Sequence, residues 1–309
     1  MTKMIPPVAI TDTELLATNI AATAHPEWDI STTYAALDKV YVEGVAGKAF
    51  QIIYESQVGS NLGNDPTTDD GTKWVEIGAT DRYKPFDRKI SDIVSNSGTI
   101  TYSIVPTTRV TGAGFLGLTA AEVRVQVYDN SSPAVEIFDQ TRSLVDTTPT
   151  VDWYSFFTWD AEEYDTEAIF DGIPAYAGYQ IDITIGDGAG TAAVGQIILG
   201  NVTTLGVALD GTTVGIRDFS VKDRDIYGNA VITERAFVDE TTFNFMLPTG
   251  DARRVKRILA AQRAAPALYY ADAETPQFGA TVFGFYQDFD IPLSAGGTCF
   301  ANLTIEGLT

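Results

Sequence analysis

The chain has 309 residues, which is more than one hydrophobic core usually supports, so two or three domains are expected. Its 20 Lys and Arg stand against 41 Asp and Glu, and the formal charge of -21 disfavours nucleic acid as a partner. One cysteine and one histidine exclude an internal disulfide and supply too few ligands for a thiolate or imidazole metal site. We therefore expect neither a cofactor nor a metal.

Residues 1–25 are predicted to form an N-terminal arm with a short helix. Thr11 precedes Glu14 by three residues, which is the spacing of a capping box, and Leu15 and Leu16 follow. No apolar run reaches the roughly 18 residues of a membrane helix, and the first residues lack the apolar block of a secretory signal. We expect synthesis in the cytoplasm and no membrane insertion.

Residues 26–88 are predicted to form a small β domain. Short runs rich in β-branched and aromatic residues, at 39–42 and 50–54, are separated by Gly, Asn and Asp. About 60 residues support only a marginal core.

Residues 89–223 predict a β-sandwich. Polar and apolar residues alternate through 122–128 and 180–185, which is typical of strands with one buried face. Turns are expected at 186–190 and 209–212. The run 112–117 has the spacing G-x-G-x-x-G but lies in no βαβ pattern, so we interpret it as a loop.

Residues 224–309 predict an α+β unit with one main helix. Thr249 is placed to cap a helix that runs to Arg263, with Val255, Ile258 and Leu259 on one side. Strands are expected at 267–270, 281–291 and 300–305. The predicted fold class is therefore mainly β, with the helix packed on an antiparallel sheet.

An acidic cluster is one candidate for chemistry. Five carboxylates fall within residues 160–167, beside several aromatic residues. A cell-wall hydrolase would need two convergent carboxylates in a cleft, and Glu163 and Asp165 are the candidates. A solvated acidic loop beside a hydrophobic strand explains the same cluster. No residue is assigned a catalytic role.

The predicted C-terminal helix concentrates positive charge in an acidic chain. We interpret these residues as a subunit interface that docks on an acidic surface, and a phosphate-binding helix is the alternative. The five residues are Arg253, Arg254, Lys256, Arg257 and Arg263.

Aromatic residues in the small β domain suggest a carbohydrate site. Trp28, Tyr34 and Trp74 would stack on sugars if their rings were exposed, and would form a small core if they pointed inward. The order Trp28, Tyr34, Asp38, Val40 resembles the small chitin-binding type of carbohydrate module, with Leu37 at a position where that pattern has Gly. The resemblance implies glycan binding by this domain.

A second resemblance covers both ends of the chain. Trp74, Gly78, Thr80, Arg82 and the run Tyr83 to Asp87 resemble the W-x-x-x-G-x-T-N-R-[WY]-x-x-F-D signature of bacteriophage tail proteins, with Asp81 in place of Asn. Residues 284–291 and 303–309 are similar to the close of the same proteins. Residues 170–172 and 194–200 fit their galactose-binding-like sandwich, a jelly roll.

The resemblance implies a structural component of a siphophage-like tail tip or baseplate, located in the virion and without enzymatic activity. Such proteins form symmetric rings of three or six copies and contact other tail proteins. The arm at residues 1–25 would reach a neighbouring copy. The alternative is a virion-associated module that contacts host surface glycans, and a cell-wall hydrolase ranks below both.

Overall fold

The computed structural model describes residues 1–145, 153–158, 164–224, 227–271, 280–292 and 297–308. Strands account for 53% of the chain and helices for 7%, which confirms the mainly β prediction.

The elements up to residue 143 are strands, with one 3-10 helix at Lys84–Phe86. They are β1 (Thr2–Ile5), β2 (Leu15–Thr18), β3 (Thr33–Tyr34), β4 (Lys39–Val42), β5 (Ile52–Ser56), β6 (Asn61–Leu62), β7 (Trp74–Ala79), β8 (Val94–Ile104), β9 (Val110–Leu116), β10 (Glu122–Tyr128) and β11 (Glu136–Ser143).

The later elements include both α-helices and a second 3-10 helix at Thr249–Asp251. They are α1 (Trp153–Thr158), β12 (Glu167–Ala175), β13 (Gln180–Val194), β14 (Gln196–Gly200), β15 (Thr203–Ala208), β16 (Thr213–Asp218), β17 (Val221–Arg224), β18 (Ala230–Thr233), β19 (Phe237–Pro248), α2 (Ala252–Ala261), β20 (Ala267–Tyr270), β21 (Thr281–Asp290) and β22 (Thr298–Gly307).

The predicted sandwich is present as two antiparallel sheets around one apolar core. One has the strand order β11-β10-β13-β8-β2 and the other the order β12-β9-β14. Val125 pairs with Ile183, and both side chains are buried, as the alternation predicted. The core includes Phe115 and Phe170, whose rings meet edge to face with their centroids 5.7 Å apart.

A third sheet, made of β1 and strands from the C-terminal third of the chain, closes on itself, and we call it the closed sheet. Its order is β15-β1-β20-β21-β22-β19, and β15 also pairs with β19, which completes the ring of strands, while β16 extends the free edge of β19. Alternate residues such as Phe243, Phe245 and Leu303 fill its interior. Val255 and Leu259 of α2 join that core, so the predicted helix is confirmed, with its α-helical part beginning at Ala252.

The predicted helix in residues 1–25 is wrong. β1 pairs with β15 and β20 of its own chain, so this part of the arm does not reach toward a neighbour, and β2 pairs with β8. The capping hydrogen bonds do form: Thr11 N and Oγ1 donate to Glu14 Oε2 at 3.0 and 3.1 Å. They close a single turn, because the chain then pairs with the edge of β8.

Glu14 fastens this turn to the sandwich. Its Oε1 accepts hydrogen bonds from the backbone and hydroxyl of Thr107 at 2.9 and 2.6 Å. Burial alone would raise the pKa of Glu14, but the hydrogen bonds from Thr107 and Thr11 outweigh it and hold the pKa below its ordinary value.

Two glycine-rich stretches differ from their predicted conformations. Residues 186–190 lie within β13 as an irregularity in its register with β8, not as a turn between strands. Residues 112–116 lie in β9, not in a loop, and a Cβ on Gly114 would stand 2.2 Å from Leu268 Cδ2. Glycine there allows the closed sheet to approach the sandwich. The turn at 209–212 is confirmed.

An apolar layer joins the closed sheet to the β12-β9-β14 sheet. The buried residues of this layer are Ile5, Leu116, Ile169, Ile198, Leu268, Tyr270 and Phe283. At its edge, the carboxylate of Asp171 accepts hydrogen bonds from Lys3 and from the hydroxyl of Tyr270.

The small β domain consists of the sheets β4-β5-β7 and β3-β6. The 3-10 helix that follows places Phe86 in the sandwich core, where its ring meets Tyr102 edge to face at 5.5 Å. β15 and β16, which precede the predicted boundary at residue 223, pair with β1 and β19. The sheets therefore do not follow that boundary, and the division into domains stays a prediction.

Replacing Gly200 by Ala should loosen the junction between the arm and the sandwich. A Cβ at this position would lie 2.1 Å from the backbone oxygen of Pro6 and 2.9 Å from Ile5 Cγ2. We expect urea denaturation to show a loss of roughly 1 to 3 kcal/mol in the free energy of unfolding. Gly59→Ala, where a Cβ meets nothing within 4 Å, is the matched control. Equal effects of the two substitutions would contradict this account.

Candidate functional site

The structure places the three predicted sugar-stacking rings in or against the core of the small β domain. Tyr34 and Trp74 are 6% and 2% exposed and meet edge to face with ring centroids 5.3 Å apart. Trp28 is half-buried and packs against the same cluster. Tyr34 and Trp74 therefore lack the open ring faces that the carbohydrate prediction required.

The polar atoms of these rings are also used inside the domain. Trp74 Nε1 donates to the backbone oxygen of Asn64 at 2.9 Å, and the hydroxyl of Tyr34 accepts from the backbone nitrogen of Asp29 at 2.7 Å. Val40, Ile52 and other apolar residues complete the cluster. A domain this small has few apolar residues to bury, so its largest rings supply the core.

The basic residues predicted as an interface are all exposed on α2 or just beyond it. Arg254 lies 3.4 Å from the carboxylate of Asp251 and 3.3 Å from the backbone oxygen of Thr204, to which it donates. Within the described part of the chain, Arg253, Lys256 and Arg257 form no ion pair. The helix thus presents a cationic face, and its role as a subunit interface remains a prediction.

The acidic cluster falls partly outside the described residues, since Glu163 and residues 160–162 lie there. Trp153–Thr158 is a helix rather than the expected strand, and Trp153, Tyr154 and Phe157 are exposed on it. Asp165 is also exposed.

Glu167, which belongs to the acidic cluster, lines a cavity. The cavity, of about 240 Å³, lies between the sandwich and the closed sheet, and Asp239 and Thr281 also line it. Burial raises the pKa of Glu167 to about 7, with smaller contributions from the charges of Asp165 and Asp239, while a hydrogen bond with the Thr281 side chain opposes the shift.

The hydrolase interpretation requires two carboxylates in one cavity, one of them with a raised pKa, and this cavity has both. The size of this cavity argues against it, because ligand sites usually enclose roughly 300 to 1,000 Å³ and a polysaccharide needs an open cleft. We interpret Glu167 as a half-buried acid at the junction between two layers.

Several large apolar residues are exposed on a hairpin formed by β16, β17, β18 and the start of β19, and sequence reasoning missed this surface. β16 pairs with β19 at the base, and β17 pairs with β18 at the tip. Every residue of β16, β17 and β18 is exposed. We call residues 213–224 and 227–237 the hairpin arm. Its large exposed apolar residues are Val214, Ile216, Phe219, Val221, Tyr227, Val231, Ile232 and Phe237.

The sequence carried only a weak signal for the hairpin arm. Val214 and Ile216 alternate with small or charged residues, as in a strand with one buried face. The pattern indicates which residues share a face, but it does not say whether the chain itself supplies a cover for that face.

Among the residues that the structure describes, no three His, Cys, Asp or Glu side chains cluster in a way that could hold a metal ion. No described helix is both long enough and apolar enough to cross a membrane. Cys299 is buried in β22, which covers the strand predicted at 300–305. No family model matches the sequence, and no curated protein is significantly similar to it.

Glu167→Gln should change the pH dependence of stability. A pKa raised from 4.5 to about 7 means that Glu167 favours the folded state below pH 4.5 and that this contribution is lost as the pH rises through 7. Glutamine imitates the protonated acid, so the variant should be more stable than the wild type by about 1 to 3 kcal/mol near pH 8. The two proteins should converge below pH 4.5.

Urea titrations of both proteins across this pH range provide the measurement. Asp288→Asn, at an exposed carboxylate on β21, is the control and should leave the pH profile unchanged. Equal stability of wild type and Glu167→Gln near pH 8 would show that the carboxylate is well solvated.

Proposed function

We propose that the protein is a structural component of a phage tail tip or baseplate, located in the virion, which assembles by protein–protein contacts and catalyses no reaction. The observation that carries the proposal is the hairpin arm, on which Val214, Ile216, Val221, Val231 and Ile232 are exposed to solvent. Its partners would be other copies in a symmetric ring of three or six and neighbouring tail proteins.

The tip of the hairpin arm is a poor structure for a monomer in water. A two-stranded hairpin is at best marginally stable alone, because it has no layer on which to bury its apolar side chains. Ile232 is 67% exposed and Ile216 is 68% exposed. Contiguous exposed apolar surface in a folded protein usually marks a contact with another molecule. A neighbouring subunit would supply the missing layer.

The charge distribution supports contact between unlike surfaces. Copies that each carry -21 repel one another unless a positive patch meets an acidic one. The exposed Arg253, Lys256 and Arg257 supply such a patch. A head-to-tail arrangement, in which this face meets acidic loops of the next copy, closes into a ring when the rotation between copies is an exact fraction of a turn.

Assignment to a phage tail rests on the sequence signature at residues 74–87. In the fold, the residues of this signature link the small β domain to the sandwich. Trp74 supplies the core of the small β domain, and Thr80 N donates to Gln51 O at 3.2 Å. Tyr83 and Phe86 belong to the sandwich core. The motif therefore forms the junction between a small module and a larger β domain, which is where tail proteins carry it.

Charging the hairpin arm should prevent assembly. We expect the wild type to form a discrete oligomer and the Ile216→Asp/Ile232→Asp variant to have the monomer mass of 33.3 kDa in size-exclusion chromatography with light scattering. Two buried carboxylates at an interface cost far more than the contact gains. The variant should keep the wild-type melting temperature within a few degrees, because both side chains are exposed in the monomer.

Ile30→Asp is the matched control, since Ile30 is 65% exposed but lies in the small β domain. It should leave the oligomer intact. A wild type that is monomeric at every concentration, or an oligomer that tolerates the double substitution, would refute self-assembly through the hairpin arm.

Reversing charge on α2 should weaken the same assembly. We expect Arg257→Glu to reduce subunit affinity roughly tenfold at low salt, and the difference should shrink as salt screens the contact. Sedimentation velocity over a concentration series measures the effect. Arg109→Glu, at an exposed arginine outside α2, is the control. Equal losses for both variants would attribute the effect to net charge rather than to α2.

A further inference from the structure

A second cavity, of about 360 Å³, lies where the small β domain, the N-terminal segment and the sandwich meet. Its size falls within the range of small-molecule sites. Phe50, Ile52, Phe86 and Ile197 contribute apolar wall. None of the carbohydrate or interface residues predicted from the sequence lines it.

Two polar side chains on this wall have oxygens that accept no hydrogen bond. Gln196, on β14, is 1% exposed, and its Oε1 is buried without a donor. Asp87 Oδ1 accepts from Lys89 N at 2.8 Å, while Oδ2 is buried without a donor. Burial raises the pKa of Asp87 to about 6. Because buried acceptors are nearly always paired in folded proteins, both oxygens would gain from a ligand that donates hydrogen bonds once a side-chain rotation turns them toward the cavity.

Charges at the mouth of the cavity restrict the ligand. Lys48 and Glu76 are both about 40% exposed and form an ion pair at 2.6 Å, and Arg88 and Lys89 are exposed beside them. Three cations thus face two carboxylates, which disfavours an ammonium ligand. Carboxylate and amide oxygens can ligate metals, but the described residues offer no cluster of the kind that holds an ion.

Arg88 adds a conformational constraint at this mouth. Its φ of 71° lies in the left-handed region, which a side chain of this size rarely adopts. The turn that Arg88 makes directs the backbone nitrogen of Lys89 to one oxygen of Asp87 and leaves the other unpaired.

We propose that this cavity binds one sugar residue, whose hydroxyl groups donate to Asp87 and Gln196 and whose C–H face lies against the half-buried ring of Phe50. Hydroxyl groups both donate and accept, so they suit either orientation of the Gln196 amide. The Phe50 ring supplies the apolar surface on which a pyranose packs. The site is distinct from Trp28, Tyr34 and Trp74. Its existence does not depend on the assembly of subunits into a symmetric ring.

Both acceptor oxygens are covered in this conformation of the protein, so binding must be accompanied by a small side-chain rotation. Asp87 is only half-buried and can make that rotation without repacking the core. Gln196 is held more tightly and is expected to discriminate between sugars that differ in the position of one hydroxyl.

Saturation-transfer NMR and titration calorimetry on the full chain test the proposal. The probes are the methyl glycosides of glucose, galactose, N-acetylglucosamine and rhamnose, together with inorganic phosphate and ethylammonium. We expect at least one glycoside to bind and to lose about tenfold in affinity in Asp87→Ala and in Gln196→Leu, because each removes one acceptor. Thermal unfolding checks that both variants remain folded.

Ile30→Ala, at an exposed residue of the small β domain, and Asp288→Ala are the controls and should leave glycoside binding unchanged. The proposal is overturned if no glycoside binds, if binding survives both cavity substitutions, or if a control substitution abolishes it. Binding of phosphate or ethylammonium without any glycoside would also overturn it. If one cavity variant unfolds, the other still decides, since the two residues lie on separate elements.

Discussion

The apolar contact between the closed sheet and the β12-β9-β14 sheet holds the larger part of this protein together. Ile5, Leu268 and Tyr270 from the closed sheet meet residues such as Ile198 from the sandwich. The approach is close because glycine occupies positions on β9 and β14 where a Cβ would collide with the facing layer. Both neighbouring cores depend on this contact, since each would otherwise expose one apolar face of a sheet to water.

The N-terminal residues are part of this contact rather than an appendage. β1 fills the gap between β15 and β20, so the closed sheet requires the first residues of the chain together with its last 100 or so. Lys3 and Tyr270 both donate to Asp171 on the sandwich, which adds a polar link at the edge of the apolar layer. A strand shared in this way couples the folding of distant segments.

The hairpin arm and the cationic face of α2 are two kinds of exposed surface next to the closed sheet. The first is apolar and non-directional, so it can supply binding free energy. The second is charged and lies in an acidic chain, so it can select the orientation of a partner. The cavity near Gln196 is a third feature of another kind, since it is concave and lies at the junction of the small β domain with the sandwich.

Elements with a local sequence signal could be predicted before the structure was known. Alternation in β10 and β13, the apolar stripe of α2 and the strand at 300–305 were all predicted, because side-chain periodicity follows directly from backbone geometry. Which surface packs against each strand or helix depended on the tertiary structure. The capping box at Thr11 formed its hydrogen bonds but gave no helix, because the edge of β8 was available to the next residues. Tyr34 and Trp74 are buried, and Asp87 and Gln196 line the same cavity. Both results depend on how separate segments of the chain pack together, which local periodicity does not encode.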